Sequence, residues 1–190
     1  MRHAVTWAGV GWFLAWAAVA SAVAAATERA VDVREFGAAA DGRTLCTRAI
    51  QKAVDACAEA GGGTVRFPPG TYRSGTVFLK SGVILDLAAG ATLLASDDLA
   101  DYPETVPAFR SYTDNYTNKS LIYAENVENV GLVGRGVIDG QGKRFEGPYK
   151  RRPYLVRMIG CREVRVEGLT FRDSPMWVQH YLACDGVTVR

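Results

Sequence analysis

Hydrophobic and polar residues alternate with two different periods along the chain. In one early segment the apolar residues recur at i, i+3, i+4 and i+7, namely Ile50, Ala53, Val54 and Cys57. This spacing places them on one face of an α-helix. Thr44 and Thr47 are candidate N-caps, and three consecutive glycines at 61–63 end the segment. The pattern predicts one amphipathic helix.

After the glycines the pattern changes to short β-branched runs separated by Gly, Asn and Asp. The runs are TVRF, TVFLK, GVILDL, ATLLAS, NVGLVG, GVIDG, EVRVEG, LTFRDS and GVTVR. Such runs are typical of strands bounded by turns. A single helix followed by many strands argues against alternating β-α-β units.

The strands repeat at fixed intervals. Residues 129–140 align with residues 163–174 at a constant shift of 34, with these pairs: Val130 with Val164, Leu132 with Val166, Val137 with Phe171, and Asp139 with Asp173. Cys161 aligns with Cys184 at a shift of 23. We interpret the longer step as one coil plus an insertion of about eleven residues, located within residues 141–152.

A repeat of about 23 residues with three strands per period predicts an all-β, right-handed parallel β-helix. The early helix would cap its open end, where an unpaired sheet edge invites aggregation. A β-sandwich is the alternative, but its strands do not normally repeat at a fixed shift. Cys161 and Cys184 would be neighbours in one interior ladder, either as a disulfide or as two stacked thiols.

The first 26 residues predict a secretory signal peptide. Residues 4–26 carry no charge and end in A-x-A patterns, which favours cleavage over an uncleaved membrane anchor. Residues 27–190 then form the remaining domain, and the protein is expected to be secreted or periplasmic. No membrane contact is expected after cleavage.

A run of basic residues follows residue 140. Its members are Lys143, Arg144, Lys150, Arg151, Arg152, Arg157, Arg162 and Arg165. The run is either a solvated face or a binding surface for an anionic partner. Because the chain is expected to be exported, an anionic polymer outside the cytoplasm is favoured over nucleic acid.

Three segments resemble the polygalacturonase family (glycoside hydrolase family 28) of the pectin lyase-like β-helix superfamily. They are VDVREFGAAADGRTLCTRAIQKAVDACAEAGGGTVRFPPGTY, GVIDGQG and RPYLVRMIGCREVRVEGLTFRDSPMWVQH. The resemblance extends over residues 31–190. It implies hydrolysis of α-linked galacturonan in acidic pectic polysaccharide, homogalacturonan or rhamnogalacturonan, with inversion at the anomeric carbon and without a metal or other cofactor.

The family's catalytic motifs are absent from the 190 residues. We find no N-[TN]-D, G-H-G or R-x-K sequence, and the one Asp-Asp pair, Asp97-Asp98, is interpreted as a solvated acidic turn. The first catalytic Asp of the family lies one coil after the SPMW segment. We therefore expect the chain to be the N-terminal portion of the β-helix domain, truncated before its C-terminal coils. Its paired catalytic Asp residues would lie beyond residue 190, and the chain alone would be inactive.

The remaining site prediction comes from the 23-residue step. It places Tyr154 under Trp177 and Arg157 under His180, and these four residues with Gln179 would border one end of the substrate cleft. Arg157 would pair with a galacturonate carboxylate, and Trp177 would offer its flat face to a sugar ring. Trp177 as a packed corner and His180 as an ordinary ladder residue are the alternatives.

The sequence predicts a long insertion between coils at residues 108–126, with Tyr112, Tyr116 and Tyr123 as candidate binding or packing residues. Long ordered insertions on rigid scaffolds often carry binding function. The same segment holds two Asn-X-Ser/Thr sequons, at Asn115 and Asn118, which matter only in a eukaryotic secretory pathway.

Two other functions remain open at this point. A non-catalytic extracellular carbohydrate-binding protein could use the same solenoid. A pectate lyase relative would need calcium and therefore clustered carboxylates on one sheet face, which the sequence does not provide. The full-length protein is expected to be a monomer.

Overall fold

The computed structural model describes residues 29–111, 116–148 and 151–190. The predicted signal peptide lies outside these residues, as do Tyr112, Asn115 and Lys150. None of the helices in the described part of the chain is both long and apolar enough to span a bilayer.

The strands of the described residues form three parallel sheets. The first sheet contains, in spatial order, β1 (Ala30–Asp32), β3 (Gly63–Phe67), β6 (Val83–Leu87), β9 (Glu128–Gly134), β12 (Arg162–Glu167) and β15 (Asp185–Val189). The second contains β13 (Thr170–Arg172), β10 (Val137–Asp139), β7 (Ala91–Ala95), β4 (Gly70–Ser74) and β2 (Asp41–Leu45). The third contains β14 (Gln179–Leu182), β11 (Tyr154–Ile159), β8 (Ser120–Glu125) and β5 (Val77–Phe78).

The chain visits the three sheets in turn, so that each circuit is one coil stacked on the coil before it. This arrangement confirms the predicted right-handed parallel β-helix. Its interior is filled by ladders of equivalent side chains. In one ladder Val65 pairs with Leu85, Leu85 with Leu132, and Leu132 with Val166, and each of these four side chains is at most 1% exposed. Burial of such ladders is the main favourable term in solenoid stability.

The predicted 34-residue step is confirmed in the first sheet, where Val130 pairs with Val164. It is wrong by one residue in the second sheet, where Val137 pairs with Thr170 instead of Phe171, and Asp139 with Arg172 instead of Asp173. The reason is an extra residue in the turn after β9, where the amides of Arg135 and Gly136 both donate to the Leu87 carbonyl. The shift brings Asp139 and Arg172 into an ion pair with a 2.6 Å separation.

The predicted helix is confirmed as α1 (Thr47–Glu59), with Ile50, Ala53, Val54 and Cys57 buried against the first coils. The N-cap prediction is wrong, because Cys46 occupies that position and makes no side-chain capping hydrogen bond. Thr47 is used differently: its Oγ1 accepts a hydrogen bond from the Gly75 amide at 2.7 Å. Thr44 Oγ1 donates to Asp41 at 2.7 Å.

Helix α1 also caps one edge of the third sheet. The Gln51 side chain accepts a hydrogen bond from the Phe78 amide at 2.9 Å and donates to the Phe78 carbonyl at 3.0 Å. The backbone N–H and C=O of Phe78, in the edge strand β5, are thus both paired by one side-chain amide, as a neighbouring strand would pair them. The Asp55 carboxylate also forms an ion pair, with a separation of 2.7 Å, with Lys80 in the turn after β5. These contacts support the predicted capping role.

Two insertions extend the repeat. One connects β7 to β8 through residues 96–119, and the other connects β10 to β11 through residues 140–153. The second is the insertion predicted within residues 141–152. Tyr123 belongs to β8 and not to the first insertion, so that part of the prediction is wrong.

The basic run does not form one patch in the described residues. Arg157 lies in the third sheet, whereas Arg162 and Arg165 lie in the first sheet. Arg162 is 2.6 Å from Glu128, and Arg165 is 3.9 Å from Glu167. The first-sheet arginines therefore belong to a solvated face with mixed charge, which was one of the two predicted alternatives.

Candidate active-site face

The five predicted site residues lie on β11 and β14 or in the turn just before β14. These are adjacent strands of the third sheet, with Val156 opposite Gln179 and Arg157 opposite His180. The predicted 23-residue step is therefore confirmed as a structural register. Whether these residues contact a substrate is a separate matter and stays a prediction.

Side chains in the middle of the third-sheet strands alternate between the core and the outer face, whereas at the start of β11 Leu155 packs into the core and Tyr154 contacts Arg157. Ile122, Val156 and Met158 belong to the hydrophobic core. Because successive strand residues point to opposite faces, Arg157 and His180 lie on the outer face, together with Tyr123, which pairs with Arg157. We call the outer surface of β8, β11 and β14 the third-sheet face.

Arg157 is fully buried on this face, with 0% exposure, and Thr117, near the end of the insertion 96–119, is one of its neighbours. Its Nη1 donates to the Thr117 carbonyl at 3.3 Å. Its Cζ lies 4.8 Å from the centroid of the Tyr154 ring, well within the distance of a cation–π contact. Because none of its surface is exposed, the guanidinium is not accessible from solvent.

Tyr154 is also buried, and its ring connects Arg157 with His180. The ring centroids of Tyr154 and His180 are 5.2 Å apart, with 36° between their planes. His180 is only half-buried. The structure thus brings Arg157, Tyr154 and His180 into one stack.

Trp177 lies beside this stack and is 52% exposed. Its ring centroid is 6.4 Å from that of Tyr116, in an edge-to-face arrangement. A large aromatic side chain with half of its surface open to solvent is available to a ligand. The alternative of a fully packed corner does not describe this residue.

Gln179 is the predicted residue that the structure separates from the stack. It alternates with His180 and therefore lies on the opposite face of β14, where its Oε1 accepts a hydrogen bond from the Tyr181 hydroxyl at 2.7 Å. Burial of Tyr181 raises the pKa of its hydroxyl to about 12. The phenol therefore stays protonated, and keeps donating to Gln179, at any ordinary pH.

The segment that carries Trp177 is held by the preceding coil. The amides of Gly140 and Gly142 donate to the carbonyls of Arg172 and Asp173, at 2.9 and 2.7 Å. A Cβ at Gly140 would lie 2.6 Å from Pro175, and one at Gly142 would lie 2.6 Å from the Ser174 carbonyl. The two most characteristic sequence segments, GVIDGQG and SPMW, are therefore in direct contact, and their glycines permit the close approach.

The sequence reasoning missed Glu125, which anchors the first insertion to the third-sheet face. Its carboxylate accepts hydrogen bonds from the Tyr123 hydroxyl at 2.7 Å and from the Ala108 amide at 2.8 Å. Burial, together with the adjacent Glu125 carboxylate, raises the pKa of Tyr123. Tyr123 precedes Arg157 by 34 residues. The 34-residue step could therefore have predicted that Tyr123 and Arg157 share one ladder.

Asp97 and Asp98 have structural partners. Asp97 is 3.0 Å from Arg73, and Asp98 accepts a hydrogen bond from the Ala100 amide at the start of a short 3₁₀ turn, Leu99–Asp101. Their interpretation as a surface turn agrees with these contacts. Within the described ranges, no three His, Cys, Asp or Glu side chains are arranged to hold a metal ion.

The chain matches one family model over residues 30–141, described as "Rhamnogalacturonase A/epimerase, pectate lyase-like". It is 39% identical to an exo-poly-α-D-galacturonosidase of Dickeya chrysanthemi, over 62% of this chain and 20% of that protein. It is 34% identical to a probable polygalacturonase of Vitis vinifera, over 77% of this chain and 33% of that protein. The chain thus spans between a fifth and a third of the length of these curated relatives.

A solved structure supports the same relationship. The hyperthermoactive exopolygalacturonase of Thermotoga maritima superimposes with a TM-score of 0.72 at 26% identity. The superposition covers 86% of this chain and 46% of that one.

Proposed function

This chain belongs to the pectate lyase-like family of rhamnogalacturonase A and epimerase, and on that premise we propose that it is part of a polygalacturonase-like glycoside hydrolase. Its substrate would be an acidic pectic polysaccharide, either homogalacturonan or rhamnogalacturonan. The observation that carries the proposal is the position of the exposed Trp177 three residues before the half-buried His180, at the start of β14. The proposed location is outside the cytoplasm, secreted or periplasmic.

The proposed reaction is hydrolysis with inversion. A carboxylic acid protonates the leaving glycosidic oxygen, and a carboxylate on the opposite side of the sugar removes a proton from the attacking water. The two carboxyl groups must lie about 6.5–9.5 Å apart, so that the water fits between them. The motifs that supply this pair in the family do not occur in residues 1–190. We assign no catalytic residue in this chain and propose that its own residues bind and orient the sugar chain.

Trp177 and His180 are the residues best placed for that task. The indole offers an apolar face against which the C–H face of a sugar ring can pack. The imidazole can donate a hydrogen bond to a hydroxyl or carboxylate oxygen. Arg157 and Tyr154 lie behind His180, and Gln179 lies on the other face of β14, so we propose them as weaker contributors.

Binding of oligogalacturonate, measured by isothermal titration calorimetry, tests this proposal. We expect the chain to bind it, to bind the uncharged oligogalactan more weakly, and to release no reducing ends. His180→Ala should weaken binding at least about tenfold, since a hydrogen bond to a charged group contributes about 1.5–3 kcal/mol. Trp177→Ala should also weaken binding, because it removes the apolar ring surface against which the sugar packs. Leu45→Ala, which alters an exposed apolar residue of β2, is the control.

Absence of binding, or equal binding by the Trp177→Ala and Leu45→Ala variants, would overturn the proposal. Binding without hydrolysis by the native gene product would instead favour a non-catalytic carbohydrate-binding protein. Release of reducing ends by residues 1–190 would show that our assignment of no catalytic residue to this chain is wrong.

A further inference from the structure

Arg157, Tyr154 and His180 form a stack that runs from the protein interior to its surface. Arg157 is 0% exposed and Tyr154 is 1% exposed, whereas His180 is half-buried. Of these three side chains, His180 is therefore the one that offers substantial surface to a ligand. The other two lie beneath it, within contact distance of each other.

Arg157 is well placed to immobilise the Tyr154 ring. Its guanidinium lies 4.8 Å from the ring centroid and is tied by Nη1 to the Thr117 carbonyl. A planar guanidinium stacks on an aromatic face better than a lysine ammonium does. A contact of this kind is stronger when it is desolvated, as it is here. The ring fixed in this way then supports the imidazole 5.2 Å away.

We propose that Arg157 is a positioning residue, which acts through Tyr154 to hold the His180 imidazole in one orientation on the third-sheet face. The function of that orientation rests on the proposed binding of acidic sugars. Arg157 itself does not touch the ligand. This assignment differs from a direct pairing of Arg157 with a galacturonate carboxylate, and the two make different predictions.

A double-mutant cycle with oligogalacturonate distinguishes them. Tyr154→Leu and Arg157→Lys should each weaken binding by up to about tenfold, the range of interactions in one buried network. Tyr154→Phe, which keeps the ring, should bind within about twofold of the unsubstituted chain. In a His180→Ala background, Tyr154→Leu and Arg157→Lys should have almost no further effect. The proposal would be overturned if the losses of affinity in Tyr154→Leu and Arg157→Lys were fully additive to the loss in His180→Ala. Arg157 would then contact the ligand independently of His180.

Nuclear magnetic resonance tests the positioning without any ligand. In a full chain that carries His3→Gln, His180 is the only histidine, so the imidazole Cε1–H gives one resonance. We expect the Tyr154 ring current to displace it from its random-coil position. The displacement should persist in Tyr154→Phe and disappear in Tyr154→Leu. In Arg157→Lys the resonance should shift or broaden.

A His180 resonance at the random-coil position in the unsubstituted chain, or one unchanged by Tyr154→Leu, would overturn the proposal. Urea unfolding midpoints for each variant separate a local change from loss of the fold. If the chain binds no oligogalacturonate but the resonance behaves as expected, the proposed function fails and the positioning of His180 stands.

Discussion

At the scale of single residues, local hydrogen bonds decide features that periodicity does not encode. Thr44 and Thr47 are both of a residue type that is common at N-caps, yet neither hydroxyl caps the helix. The Thr44 hydroxyl donates to Asp41, and the Thr47 hydroxyl accepts from the Gly75 amide. The buried Arg157 likewise donates to the carbonyl of Thr117, which is 40 residues away in the sequence. The sequence predicted which residues share a ladder, but not which of them are buried.

Asp41 gives a pH-dependent prediction at this scale. Its carboxylate accepts hydrogen bonds from the Arg43 and Thr44 amides, both at 2.8 Å, and from the Thr44 hydroxyl. These bonds favour the ionised form and lower its pKa from 3.8 to about 2. Because the folded-state pKa is depressed, the stabilisation is present above pH 3.8 and is lost as the pH falls towards 2.

Asp41→Asn should therefore lose stability at pH 6 and show a flatter stability profile between pH 4 and pH 2. Urea unfolding across this range measures both effects. Glu146→Gln, an exposed acid-to-amide change in the second insertion, is the control and should leave the profile unchanged. An Asp41→Asn profile parallel to that of the unsubstituted chain would contradict the assignment.

At the scale of elements, the hydrophobic pattern predicted the helix and the strand ladders well, because each depends on one simple period. The buried face of α1 and the pairing of Val130 with Val164 both follow from it. The one-residue error in the β10–β13 pairing has a local cause, the extra residue at Arg135-Gly136. A constant alignment shift cannot detect an insertion of one residue inside a turn.

Gln51 provides a test of the helix as a sheet cap. Gln51→Ala removes both hydrogen bonds to Phe78 and should destabilise the fold by about 1–3 kcal/mol, twice the net contribution of one typical hydrogen bond. It should also increase aggregation, because the edge of β5 becomes available to other strands.

Gln51→Glu keeps the acceptor for the Phe78 amide but places a carboxylate oxygen against the Phe78 carbonyl and the Asp55 carboxylate, to which Gln51 Nε2 donates. A loss at least as large as that of Gln51→Ala is therefore expected. Lys52→Ala, at the adjacent exposed position of the helix, is the control for helix propensity. Urea unfolding gives the free energies, and light scattering reports association. Equal stability of Gln51→Ala and Lys52→Ala would show that the cap does not depend on this side chain.

At the scale of the whole molecule, stacked coils place equivalent residues next to each other, and the cysteines follow this rule. Cys161 precedes Arg162, and Cys184 precedes Asp185, which is the partner of Arg162. The two thiols are therefore neighbours, and both are free, as are Cys46 and Cys57. Of the two predicted alternatives, the structure shows stacked thiols.

Thiol titration in denaturant checks this prediction. All four cysteines should react in the unfolded chain, and few should react in the folded chain, since Cys46, Cys57 and Cys161 are buried. Burial also raises the pKa of the Cys161 thiol, which further slows its reaction as a thiolate. Recovery of only two thiols after unfolding would instead indicate a disulfide.

Amide chemical-shift mapping during titration with oligogalacturonate tests the proposed binding of an acidic pectic chain to the third-sheet face. We predict that the largest changes occur at the Trp177 indole N–H and around His180, with smaller changes at Tyr154 and Arg157. Residues on the outer surface of the first sheet, such as Arg165, should be unaffected. Changes centred on Arg165 and its neighbours, or no changes anywhere, would show that the third-sheet face is not the binding surface.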